Sequence, residues 1–177
     1  MRRLLPCKIL LVLDDSEEAG LAAGAAVELC SRSGSELHVV AVGYVKAFHA
    51  APEVAWEQGA WAALENEARL RAGKALGEHI REIEELGGNV AAEHLLIGQA
   101  AEEIIRLSEH LGAGLVILGE RETGFVEKAL TRSVGEEMVR HASCDVLVVH
   151  GGQSAGRRRR RGAYSSNLAV RSVMARS

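Results

Sequence analysis

Short aliphatic runs alternate with helical stretches along the chain, and this alternation constrains the fold more than any other feature. Each run is too continuously apolar to have a solvent-facing side, as expected for strands covered on both faces. Alternating strands and helices form a parallel sheet through right-handed crossovers. We therefore predict a three-layer α/β fold, with a doubly wound five-stranded parallel sheet. The predicted strands are residues 8–14, 36–42, 89–97, 115–118 and 145–149.

The stretches between the runs carry the start and stop signals of helices. Ser16 followed by two glutamates is typical of a helix N-cap, and Gly34 is placed to end that helix. A long helical stretch over residues 52–86 has apolar side chains at three- and four-residue steps. Shorter helices are predicted over residues 100–111 and from about 133 to 142.

Ligands bind to such sheets beyond the carboxyl ends of the strands, where the strand order reverses. If the first and fourth strands are neighbours, Asp14 and Gly119 face one crevice. Asp14 then has two interpretations. It accepts a hydrogen bond from an adenine amino group or a ribose, or it caps the first helix together with Ser16. The sequence leaves both open.

Ser133 and Glu136 have the spacing of a capping box at the start of the last helix. In that motif the serine oxygen accepts from the N3 amide and the glutamate reaches back to the N-cap amide. Free amides at a helix start also suit a phosphate. Neither interpretation excludes the other.

The net charge of −3 conceals an acidic body and a basic tail. Seven of the 21 basic residues and none of the 24 acids lie in residues 151–177, which leaves the first 150 residues with 14 basic and 24 acidic side chains. We expect one domain over residues 1–150 and a disordered, arginine-rich tail over 151–177. The run from Arg157 to Arg161 has the charge to attract nucleic acid or an anionic membrane as a partner.

Several functional classes lack their sequence signals. Cys7, Cys30 and Cys144 are widely spaced, so no disulfide framework or CxxC site is expected, and the histidines show no metal-ligand spacing. There is no GxSxG or Walker A motif. No apolar run approaches the ~20 residues that span a bilayer. We expect a cytoplasmic protein without enzymatic activity and without a metal.

Four segments in order, KILLVLDDSEEA, ELHVVAV, IGQAAEEIIRLSEHLGAGLVILG and SVGEEMVRHASCDVLVV, resemble the universal stress protein family. The resemblance covers nearly all of residues 7–150. It implies the adenine nucleotide alpha hydrolase-like fold and a habit of dimerisation. Members that bind ATP carry Gly-x2-Gly-x9-Gly-Ser after the fourth strand, where the motif wraps the phosphates.

Carried over to this chain, the motif keeps Gly119 and Ser133 but has Glu122 and Arg132 in place of its second and third glycines. The base end of the implied pocket is kept, with Asp14 on the adenine-contacting aspartate and Val42 on the adenine-packing valine. The resemblance thus implies a candidate nucleotide crevice formed by Val12, Asp14, Val42, Leu118, Gly119, Arg121, Arg132, Ser133 and Val134.

The two replacements weaken the phosphate end on physical grounds. A side chain at either position keeps backbone amides away from a phosphate. The charge of Glu122, ~4 Å from a phosphate, costs about 1 kcal/mol in water-like dielectric and about 4 near a protein surface. We therefore expect a regulatory, stress-type protein without turnover that binds ATP or AMP weakly or not at all. The alternative is a working ATP or AMP sensor in which Arg121 and Arg132 replace the lost glycines.

The fifth strand, from Asp145 to Val149, is a predicted sheet edge with an apolar face. Such edges are usually covered, because their unpaired backbone groups invite pairing. Antiparallel pairing with a second copy covers this edge and matches the family's habit. We expect a homodimer through this strand, and further protein partners that the sequence does not identify.

Overall fold

The computed structural model describes residues 6–45, 58–120, 133–151 and 171–172. The strands are β1 Lys8–Val12, β2 Glu36–Gly43, β3 Val90–Ile97, β4 Leu115–Glu120, β5 Asp145–His150 and β6 Arg171–Ser172. The helices are α1 Glu17–Ser33, α2 Gln58–Glu85, α3 Ala100–Leu111 and α4 Val134–His141. The sheet has the order β3-β2-β1-β4-β5-β6.

Strands β1 to β5 are parallel, which confirms the predicted doubly wound sheet. β1 lies between β2 and β4, so the strand order reverses at β1, as the proposed crevice requires. The register places Val12 opposite Leu118 at the carboxyl end of the β1–β4 pair. Among the described residues, no helix combines the length and the apolar composition of a membrane span.

The sixth strand was not predicted. β6 runs antiparallel to β5, with Arg171 opposite Val148 and Ser172 opposite Leu147. These two residues of the arginine-rich tail therefore pair with the outer edge of β5. Residues 152–170 and 173–177, which include the run from Arg157 to Arg161, lie outside the described part. The predictions of a disordered tail and of an anionic partner for it stay predictions.

Apolar side chains alternate between the two faces of the sheet, so the core has two halves. Along β1, Ile9 and Leu11 pack with α1 and α2, whereas Leu10 and Val12 pack with α3 and α4. We call the second half the α3/α4 face. Because the period of a strand is two, this alternation also decides which residues at the strand ends face each helix layer.

The ends of α1 follow the predicted signals. Ser16 is the N-cap, and its hydroxyl accepts from the backbone N–H of Ala19 at 3.1 Å. Gly34 is the C-cap at φ 68°, a left-handed conformation that glycine adopts without steric cost. The N-terminus of α1 is therefore fixed beside the carboxyl end of β1, next to the predicted crevice.

Candidate functional site

Four of the predicted crevice residues are apolar, and the structure gathers them on the α3/α4 face. Leu118 is 3% exposed and belongs to the buried cluster there. Val12, Val42 and Val134 are partly buried and pack against the same cluster. Residues from β1, β2, β4 and α4 thus contribute to one apolar cluster, in which the three valines are partly exposed and Leu118 is buried.

Asp14 lies two residues beyond the end of β1, where its carboxylate organises the turn into α1. Its Oδ1 accepts hydrogen bonds from the hydroxyl and, at 3.0 Å, from the backbone N–H of Ser16. The capping interpretation is therefore confirmed for this turn. The Asp14 side chain is nevertheless exposed, so a contact with a ligand remains compatible with its structural role.

A histidine from α2 reaches the same turn. His79 Nε2 lies 2.9 Å from the main-chain oxygen of Asp14, and His79 Nδ1 lies 2.8 Å from Oε2 of Glu82. A carbonyl oxygen only accepts, so Nε2 is the donor to Asp14. This link holds α2 against the turn after β1. The sequence placed His79 on a helix but gave no signal of its partner, which is distant along the chain.

Gly119 has a packing role that the sequence did not reveal. A Cβ on Gly119 would lie 2.3 Å from the carbonyl carbon of Glu18 and 2.7 Å from the backbone nitrogen of Ala19. Real Cβ atoms essentially never approach other atoms so closely. The missing side chain therefore lets the first turn of α1 pack directly on β4, on the face opposite Leu118. This reason for a glycine is independent of any phosphate.

The start of α4 carries half of the predicted capping box. The hydroxyl of Ser133 accepts from the backbone N–H of Glu136 at 3.1 Å, as predicted. The other half of the prediction was wrong, because the Glu136 carboxylate does not reach back to Ser133. It accepts from the guanidinium of Arg140 at 3.0 Å instead. A cation four residues further along the helix attracts the carboxylate away from the N-cap.

Glu120, which the sequence analysis did not select, also contacts α4. A Cβ on Gly135 would lie 2.7 Å from Oε2 of Glu120 and 3.1 Å from its carboxyl carbon. The sequence could have indicated this contact, because alternate residues of a strand lie on the same face and Glu120 is two residues after Leu118. The remaining predicted crevice residues, Arg121 and Arg132, lie outside the described residues.

A cavity of about 330 Å³ lies beside the predicted crevice, at the carboxyl ends of β2 and β3 rather than between β1 and β4. It is lined by Tyr44, Val45, Trp61, Glu65, Ile97, Gly98 and Gln99. None of these residues was selected from the sequence, because they become neighbours only when α2 folds over the ends of β2 and β3. Val42 is not among these lining residues, although it precedes Tyr44 by two residues.

Other chemically versatile side chains do not assemble a reactive centre in the described ranges. His38 and His94 stack with ring centroids 5.7 Å apart, and burial, followed by the nearby His38 and His110, lowers the pKa of His94. Burial raises the pKa of the Cys30 and Cys144 thiols, which disfavours the nucleophilic thiolate. Within those ranges, no three potential ligands among His, Cys, Asp and Glu are grouped to hold a metal ion.

Comparison with known proteins assigns the family. The model of the universal stress protein family matches residues 7–150. This chain belongs to the universal stress protein family. A universal stress protein of Methanocaldococcus jannaschii is 28% identical over 142 residues, which are 80% of this chain and 81% of that relative. The resemblance of the four segments is thereby confirmed.

Solved structures of universal stress proteins share the fold. One from Burkholderia pseudomallei is 26% identical, with a TM-score of 0.59 over 80% of this chain and 94% of its own. A family protein from Arabidopsis thaliana, solved with AMP bound, has a TM-score of 0.55 at 16% identity, over 84% of this chain and 94% of its own. The second likeness concerns the fold alone.

Proposed function

We propose that this universal stress protein is a regulatory protein without turnover, whose crevice binds adenine nucleotides weakly through the base. The observation that carries the proposal is the apolar cluster in which Val12, Val42 and Val134 are partly exposed over the buried Leu118, with the exposed Asp14 two residues beyond β1. Such a surface suits a flat base, and a nearby carboxylate suits an amino group or a ribose hydroxyl. The structure of the Arabidopsis relative with AMP supports this choice of ligand.

The absence of turnover is part of the proposal. A nucleophilic serine needs an adjacent base that removes its proton. The hydroxyl of Ser133 accepts from a backbone N–H and so serves as a helix cap. The Asp14 carboxylate is engaged as an acceptor in the turn before α1. Both groups are therefore explained by structure, and we assign them no chemical step.

The rival function is an ATP or AMP sensor in which Arg121 and Arg132 bind the phosphates in place of the glycines. The two functions predict different orders of affinity. A crevice that holds mainly the base binds adenosine at least as tightly as AMP or ATP. A sensor that holds the phosphates gains affinity with each added phosphoryl group.

Removal of the Asp14 carboxylate should weaken adenosine binding about tenfold, because a hydrogen bond to a charged group contributes about 1.5 kcal/mol. The measurement is calorimetry with adenosine, AMP and ATP on the wild type and Asp14→Ala. Asp15→Ala is the matched control, since it removes the same charge from the adjacent exposed residue. Its affinity should equal that of the wild type.

Two outcomes would count against the proposal. Equal loss in both aspartate variants would show a general charge effect rather than a contact from Asp14. ATP binding at least ten times tighter than AMP binding would favour the sensor. The variant Glu122→Gly/Arg132→Gly then provides the complementary comparison, because it restores the glycines of the family motif.

We further propose that the protein dimerises by antiparallel pairing of β5 with β5 of a second copy. In the single chain, β6 pairs with β5 at Leu147 and Val148, so the tail and a second copy compete for one edge. A two-residue strand adds few hydrogen bonds, each contributing about 1 kcal/mol net. A longer strand from a second copy can therefore displace β6 from the edge of β5.

Truncation after Gly151 should therefore tighten dimerisation about tenfold. Sedimentation equilibrium of the full chain and the truncated chain measures this effect. The full-length variant Ser172→Pro is the matched change, because proline removes the backbone donor of one β6 residue without shortening the tail. A truncated protein that stays monomeric at micromolar concentration would contradict dimerisation through β5.

A further inference from the structure

Glu120 ends β4 with its side chain on the α3/α4 face. Leu118 and Val116, two and four positions earlier, belong to the buried cluster of that face. Gly119 instead faces the backbone of α1 on the opposite side. Since strand residues alternate between faces, Glu120 is directed towards α4.

The carboxylate of Glu120 lies against the first turn of α4. A Cβ on Gly135 would meet Glu120 Oε2 at 2.7 Å, the carboxyl carbon at 3.1 Å and Oε1 at 3.4 Å. Gly135 itself is buried. The carboxylate therefore occupies the space that a side chain at position 135 would take.

This position is electrostatically suited to an anion. The first amides of a helix have no intrahelical acceptor, and the helix dipole favours negative charge there. The amide of Glu136 is already used by Ser133, and the Glu136 carboxylate is paired with Arg140. Glu120 thus places a carboxylate beside the amide end of α4, next to the serine that the family motif assigns to the phosphates.

We propose that Glu120 determines the ligand specificity of the crevice by acting as an internal anion at the start of α4. Its carboxylate takes the position of a phosphate and repels any phosphate that enters. The crevice consequently selects nucleosides over nucleoside polyphosphates. This inference rests on the proposed function for the location of the phosphate end, but it does not depend on how the base is bound.

The test compares full-length wild type, Glu120→Gln and Glu109→Gln. Glutamine keeps the shape of Glu120 and removes the charge. Glu109 is exposed on α3 near its C-terminus, so Glu109→Gln makes the same change in net charge away from the start of α4. The probes are inorganic tripolyphosphate and adenosine, titrated separately. The backbone amide NMR signals of residues 134–136 report binding at this site rather than at the arginine run of the tail.

Glu120→Gln should bind tripolyphosphate about tenfold tighter than the wild type, and added salt should reduce this gain. Adenosine affinity should be the same in all three proteins, and Glu109→Gln should match the wild type with both probes. Equal tripolyphosphate affinity in wild type and Glu120→Gln would overturn the inference. An equal gain in Glu109→Gln would also overturn it. Failure of adenosine to bind any variant would count against base binding alone, and the tripolyphosphate comparison would still decide the role of Glu120.

Discussion

Gly119→Ala should destabilise the protein by about 3 kcal/mol, near the upper end of the usual cost of overpacking. The new Cβ would lie 2.3 Å from the carbonyl carbon and 2.4 Å from the carbonyl oxygen of Glu18. These are backbone atoms of α1, which no side-chain rotation can move. Relief requires α1 to shift away from β4, and such a shift separates the buried alanines of α1 from the sheet.

Urea denaturation measures the change in the free energy of unfolding. The matched control is Gly77→Ala in α2, where a Cβ meets nothing within 4 Å. Because alanine is favoured over glycine in a helix, this control should be neutral or stabilise by up to about 1 kcal/mol. A Gly119→Ala protein as stable as the wild type would show that α1 is not held by this close approach.

The close packing of Gly119 changes the interpretation of the family motif. Gly119 is the motif glycine that this chain keeps, and the structure explains it by packing between β4 and α1. Loss of ligand binding in a Gly119 variant would therefore follow from a displaced α1 as well as from a lost phosphate contact. Glu120, whose side chain is partly accessible, is a better probe of the crevice.

The sequence predicted the five parallel strands because the relevant signals are local. Continuous aliphatic runs mark buried strands, and α3 begins and ends where its amphipathic pattern does, at Ala100 and Leu111. Ser16 caps the start of α1 and Gly34 caps its end, each through a hydrogen bond to a residue close along the chain. Such features depend little on the rest of the fold.

The features that the sequence did not predict depend on distant contacts. The hydrogen bond from His79 to the main chain of Asp14 joins a helix to a turn on another element. The pairing of Arg171 with Val148 needs only two residues of strand, too few for a periodic pattern. The Glu136 carboxylate is a local exception, because its two possible partners, Ser133 and Arg140, both lie within four residues and the sequence does not show which attraction is stronger.

Met138→Ala should also destabilise the protein by about 3 kcal/mol, since truncation of a buried methionine removes apolar contacts and leaves a cavity. Met138 is 0% exposed and packs in the cluster of the α3/α4 face with Ile104 and Leu118. It is the large buried side chain of α4, whose other buried residue is Gly135. Met138→Leu is the matched control, and a nearly volume-conserving change should cost less than about 1.5 kcal/mol.

The effect of Met138→Ala should concentrate at the start of α4. A helix of 8 residues is not stable alone in water, so its docking through Met138 also maintains the cap at Ser133 and the contact between Glu120 and Gly135. Hydrogen exchange of the Glu136 amide should therefore accelerate more than that of the β1 amides. Equal acceleration of exchange at the amides of α4 and β1 would mean that α4 unfolds only with the whole domain. The start of α4 would then not move independently of the rest of the crevice.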